Sequence, residues 1–251
     1  MWSADLCTSS SSANLCTSAS SPGFSTSAGS AGFSTSASSS AALLVSGYDD
    51  VYRCHAADDV FAEFHRITNV NLRNQFYCEL DRYTPKLVAL YGQKSSRTGK
   101  RAEALQEMLR IYDLEEEHDI NMRHTLVLHG LPVYLQEDDT EFYKTCNGED
   151  EMETTDTPLA LLSVAPDSTG SSSFSPENIS IVIEDKVVMS ELPRLADAFV
   201  VLLGLLYALH LDYPKKLTHT FTFIQKVRLC LDDNKALKPC LLYQKNELLK
   251  E

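Results

Sequence analysis

No apolar run in this sequence is long enough to cross a membrane. The longest, Ala198 to Leu211, has 14 residues, against the ~20 that a bilayer-spanning helix needs. The first 30 residues lack both the basic n-region and the apolar h-region that define a secretory signal. The seven cysteines, at 7, 16, 54, 78, 146, 230 and 240, form no Cys-x-x-Cys pair, so no thioredoxin-type motif and no paired-cysteine zinc spacing is present. Basic charge is also scarce. The chain carries 22 Lys and Arg against 35 Asp and Glu, a net charge of −13, which excludes nucleic-acid binding driven by the charge of the whole chain. These features predict an intracellular protein, cytoplasmic or nuclear, neither secreted nor transmembrane, with reduced and mostly structural thiols.

An apolar fraction of 43% over 251 residues is that of a globular chain, but its parts differ. Residues 1–47 carry a single charge, Asp5. They repeat with a period of nine: Thr-Ser recurs at 8–9, 17–18, 26–27 and 35–36, and Leu15, Phe24 and Phe33 close the first three units. One large apolar residue per nonapeptide cannot offset ~1–2 kcal/mol of backbone ordering per residue. Low complexity and polar residues therefore predict a disordered Ser/Thr/Ala-rich tail over 1–47. Residues 137–157 read as an acidic linker, because 137–156 holds nine acids against Lys144 alone, with Phe142 and Tyr143 as anchors.

The remaining two stretches are expected to fold. Over 48–136 the pattern is helical. Asp58-Asp59 is expected to cap a helix whose face carries Val60, Phe61, Phe64 and Ile67, and a second helix starts near Asn71 and kinks at Pro85. A third follows the SSRTG turn, and a fourth runs from about Glu117 to Leu135 with a break at Gly130–Pro132. Over 158–251, PLALLSVA and ISIVIED, followed by KVVM after a tight turn, predict a small meander of two or three strands. The apolar helix from Ala198 onward is expected at the centre of the core, and two helices, 217–231 and 239–249, complete the chain. The fold class is mainly α with a small antiparallel β element (α+β).

No candidate site is strong on sequence alone. The segment from Gly92 to Arg101 has six residues between its glycines and an arginine after Lys100. A phosphate-binding P-loop needs four residues there and a hydroxyl after the lysine. The same segment does gather Lys94, Arg97, Lys100 and Arg101, the one concentrated basic patch and the residues expected to make any nucleic-acid contact. No aromatic residue is interleaved with them to stack on bases. His118, His124 and His129 fall on one expected helix at spacings that do not converge on a metal. Cys230 and Cys240 are expected to be buried thiols. No nucleophile–base spacing appears, so no catalytic residue, metal ligand or cofactor is expected.

Three long phrases carry a resemblance: EFHRITNVNLRNQFYCELDRYTP, RTGKRAEALQEMLRIYD and HTLVLHGLPVYLQEDDTEFYKTC. PLALLSV, ISIVIEDKVVMSELPRLADAF, LLGLLYALHLDYPKKL, TFTFIQKV and LKPCLL extend it to about residue 249. Residues 58–249 resemble a family of fish proteins similar to sterile alpha motif domain-containing protein 3, in the region outside the sterile alpha motif itself. The label derives from relatives that carry a sterile alpha motif, a small helical protein-interaction module that this sequence does not show, so the resemblance implies family membership and supplies no catalytic or binding residue. The expectation is a non-enzymatic interaction or scaffold protein with a protein partner. The alternatives are a nucleic-acid-associated protein of mobile-element-derived origin and an enzyme of unrecognised class.

Overall fold

The computed structural model describes residues 53–115, 118–147, 157–165, 174, 176, 178–231 and 236–249. The nonapeptide tail, most of the second half of the acidic stretch and the loop before Asn178 lie outside these residues. Seven α-helices and four strands make up the described fold: α1 (Arg53–Thr68), α2 (Leu72–Ser95), α3 (Lys100–Asp113), α4 (Ile120–Leu135), β1 (Tyr143–Asn147), β2 (Leu159–Ala165), β3 (Asn178–Ile183), β4 (Lys186–Leu192), α5 (Leu195–Ala208), α6 (Thr218–Phe223) and α7 (Pro239–Leu249). The chain is mainly α with a small sheet, as expected. No described helix is long and apolar enough to cross a membrane.

Helix α5 is the hub. Every one of its residues except Asp197 and Tyr207 is buried, and each fully buried Leu, Val or Phe contributes roughly 1.5–3 kcal/mol through its removal from water. It packs on α1, α2, α4 and the sheet. Phe64 of α1 meets Tyr207 at 4.8 Å between ring centroids, and Phe199 stacks on Phe76 of α2 at 6.2 Å and on Phe221 of α6 at 5.5 Å. The helices before the acidic stretch and the elements after it thus share one core.

Several boundaries differ from expectation. Helix α1 begins at Arg53, so Asp58 and Asp59 lie inside it and cap nothing. Asn71 does cap α2, accepting from the Asn74 amide at 3.1 Å. Helices α2 and α4 run on through Pro85 and Pro132. Pro132 has no N–H to give the Leu128 carbonyl four residues back, and the Tyr143 hydroxyl donates to that carbonyl instead, at 3.1 Å. The expected helix over 217–231 is three pieces, a 3₁₀ turn (Lys215–Leu217), α6 and a π-helical turn (Ile224–Arg228). The π turn keeps Ile224 and Val227 buried while laying the Arg228 guanidinium 4.5 Å from the centre of the Tyr83 ring.

The sheet has strand order β1-β2-β3-β4. Strands β2, β3 and β4 form the expected antiparallel meander, closed by a two-residue turn with Glu184 at φ 50° and Asp185 at φ 64°, the geometry that matches strand twist in a hairpin. Strand β1 is the correction. It lies inside the stretch read as a linker and pairs in parallel with β2, Tyr143 opposite Leu161. The anchors hold it there: Phe142 is 3% exposed and meets Phe199 and Phe221 edge to face at 6.2 and 5.7 Å. Ile179, Ile181 and Ile183 face the main core, whereas Ala160, Leu162 and Val182 occupy the opposite face.

Close approach of α2 and α4 depends on Gly130, where an added Cβ would clash with the Tyr91 ring; that ring is fully buried, and its hydroxyl donates to the Val127 carbonyl at 2.9 Å. Gly130→Ala should therefore cost about 1–3 kcal/mol in urea unfolding of the full chain. Gly92→Ala, with nothing within 4 Å of its added Cβ, should cost nothing or add up to ~1 kcal/mol from helix propensity. Equal losses at the two sites would refute this packing.

Candidate functional site

The segment Gln136–Phe142 forms a ridge between two clefts. Gln136 ends α4 in the left-handed conformation, at φ 66°, and the acidic residues after it are engaged one by one. The Glu137 carboxylate accepts from the amides of His219 and Thr220 at 2.6 and 2.7 Å and from the Thr220 hydroxyl at 2.7 Å, capping α6. Asp138 accepts from the amide and hydroxyl of Thr140 at 3.2 and 2.7 Å. These bonds, with Lys216 at 3.5 Å, hold its carboxyl below the usual range. Lys216 also meets Glu141 at 2.7 Å, the main cause of its raised ammonium pKa. Burial raises the Asp139 carboxyl.

On one side of the ridge, at the end of the sheet, lies a cleft of about 530 Å³. Its floor is apolar, formed by Phe142, Leu159, Ile183, Leu206, Leu211 and Leu217, and its rim is charged, with Asp138, Glu141, Lys144, Glu184, Asp212, Lys215 and Lys216. The floor comes from five segments: the end of the ridge, β2, β3, the end of α5 and the loop leading to α6. The hairpin tip is stapled beside it, since the Asp185 side chain accepts from the Thr157 amide at 2.6 Å and the Glu184 amide donates to the Pro158 carbonyl at 3.0 Å. Lys144 is turned to the Thr157 hydroxyl at 2.6 Å. None of the described lining residues is Ser, Cys or His.

On the other side is a cleft of about 1120 Å³, and all four sequence-predicted residues, Lys94, Arg97, Lys100 and Arg101, line it. The structure therefore brings the basic patch together. It also places Glu137, Asp138 and Asp139 in the lining of the same cleft, which the sequence did not suggest.

The histidines divide. His118 precedes α4 and meets the Tyr112 carbonyl at 2.9 Å, so only His124 and His129 share the helix. His124 is 3% exposed, with Nε2 2.8 Å from Asp81 and a buried Nδ1 that has no partner. Beside it, the Tyr77 hydroxyl donates to Asp197 at 2.5 Å, and Arg194 pairs with the same carboxylate at 2.6 Å. Sequence reasoning missed this cluster, because Asp81 and His124 lie 43 residues apart and no spacing motif joins them. Neither cleft reaches it. Among the described residues, no three or more His, Cys, Asp or Glu converge as a metal site. Cys230 and Cys240, expected to be buried, are exposed. The chain matches no protein-family model, no curated protein and no solved structure.

Burial lowers the pKa of both helix histidines, that of His129 to about 4. The folded state therefore keeps His129 neutral where the unfolded chain, near pH 6.5, takes up a proton. Stability should fall by up to ~1.4 kcal/mol per pH unit from this group between pH 6.5 and 4, with no loss above that window. His129→Phe, which keeps an aromatic ring against Tyr143, should flatten the slope in urea unfolding at pH 7, 6 and 5; an unchanged slope would count against a buried neutral His129.

Proposed function

We propose that this chain is a non-enzymatic protein-interaction module that binds a partner through the apolar-floored cleft at the end of the sheet. The observation that carries this reading is the cleft itself. Apolar side chains from five segments meet at its floor, while the charges are confined to its rim. Concave, mostly apolar sites with few polar groups are where ligands and partner side chains are captured. The rim charges give orientation and selectivity more than affinity. Three of them, Asp138, Glu141 and Lys216, are already paired with one another, so a docking segment meets a set surface.

The resemblance to proteins similar to sterile alpha motif domain-containing protein 3 agrees with an interaction role. The enzyme alternative has less support, because acyl or phosphoryl transfer needs a nucleophile and a base at one open site. The pair formed by His124 and Asp81 has no such cleft over it. The nucleic-acid alternative rests on Lys94, Arg97, Lys100 and Arg101, and the acids that line the same cleft oppose a phosphate backbone.

Quantitative affinity capture with the full chain tests the reading. Leu211→Asp, at the floor of the cleft, should reduce recovery of specific partners by about tenfold or more, the scale of losing one anchoring contact. Leu242→Asp, at an exposed position on α7, should leave recovery unchanged. Equal recovery by the two variants, with both folded by circular dichroism, would remove the cleft from the interaction.

A further inference from the structure

Four cations that line one cleft have no carboxylate partner among the described residues. Arg66, Arg82, Arg110 and Arg194 each pair with an acid three residues away. Among the described residues, Lys94, Arg97, Lys100 and Arg101 make no ion pair, although Glu137, Asp138 and Asp139 line the same cleft. Two of those acids are engaged elsewhere: Glu137 accepts from the amides of α6, and Asp138 from Thr140 and Lys216. Two of the cations are fixed by one residue. Tyr134 presents its ring 5.9 Å from the Lys94 ammonium, which lies equally far from Tyr243, and its carbonyl accepts from Arg101 at 3.3 Å. Arg97 and Lys100 are exposed at the cleft mouth.

Arg97 and Lys100, exposed and without an ion pair, are open to an anion from solution. Burial, followed by the like charges of Arg97 and Arg101, lowers the Lys94 ammonium pKa against the opposing pull of Glu247. Four like charges held in one concavity raise the local concentration of anions. The start of α3 lies in the same place. Gly99, at φ 120°, offers no side chain to the first-turn amides of this 14-residue helix, and such amides add donors to an anion already drawn in by the cations.

We propose that the cleft binds a small phosphate monoester, the phosphoryl group held by Arg97, Lys100 and Arg101 and the organic end directed to Gln136 and the acidic residues of the lining. The mixed charge of that lining selects the ligand. A single phosphoryl group meets the basic residues, and hydroxyl or amine donors on the rest of the molecule meet the carboxylates. A nucleic-acid backbone running along the cleft would bring further phosphates against Asp138 and Asp139. This proposal is independent of the apolar cleft.

The test is an NMR titration of the ¹⁵N-labelled full chain, following the amides of Gly99 to Ala102. Inorganic phosphate should shift them saturably. Glycerol phosphate should bind about threefold more tightly or better, using the acidic residues of the lining, and Arg97→Ala with Lys100→Ala should weaken both by about tenfold or more. Both side chains are exposed, and an unchanged remainder of the spectrum establishes that the variant folds. Shifts that do not saturate, or that persist in the double variant, would mean an adventitious ion only and overturn the proposal. Tighter binding, per phosphate, of a single-stranded oligonucleotide than of glycerol phosphate would overturn it in favour of nucleic acid.

Discussion

Helix α5 presents apolar side chains around its whole circumference, and the rest of the fold follows from the need to enclose it. An ordinary amphipathic helix buries one stripe and leaves the other face to water. Here α1, α2, α4 and β3 each take a sector of α5, so elements from both ends of the sequence are required before it is covered. The two polar exceptions are handled locally. Asp197 is held by Arg194 and Tyr77 at the first turn, and the Tyr207 ring lies against Phe64.

The acidic stretch is drawn into this enclosure by specific shortages elsewhere. Pro132 leaves the Leu128 carbonyl without a helical donor, and the Tyr143 hydroxyl supplies one. The first amides of α6 lack a cap of their own, and Glu137 reaches them across 82 residues of sequence. Phe142 enters the aromatic cluster between Phe199 and Phe221. Once these three contacts are made, β1 is delivered beside β2, and the ridge 136–142 necessarily separates an apolar cleft from a basic one. The two functional proposals thus share one structural cause.

The sequence was most legible where periodicity spoke strongly. The α5 helix, the start of α2 near Asn71, the alternation of Ile179, Ile181 and Ile183, and the tight turn before Lys186 could all be read directly. It was least legible where a tertiary partner overrode a local signal. Pro132 reads as a break until Tyr143 is seen to satisfy the freed carbonyl. YKTCN reads as linker because its acidic flanks set the composition of the window, and only pairing with β2 makes it a strand. Asp58-Asp59 resembles a cap, but the helix starts five residues earlier. The basic patch was visible as a cluster; the acids that share its cleft were not, because Glu137, Asp138 and Asp139 are brought there by the end of α4. The apolar cleft draws single residues from distant segments, so nothing in the spacing announces it.

The central claim is that the helices before the acidic stretch and the elements after it form one cooperative core around α5. Native-state hydrogen exchange on the full chain, followed through low denaturant concentrations, tests this most directly. The account predicts that the slowest amides of α2, α4, α5 and β3 share one opening free energy and one denaturant dependence, the signature of global unfolding. Two groups with separate free energies, one for α2 and α4 and another for β3 and α5, would contradict it and divide the chain at the acidic stretch.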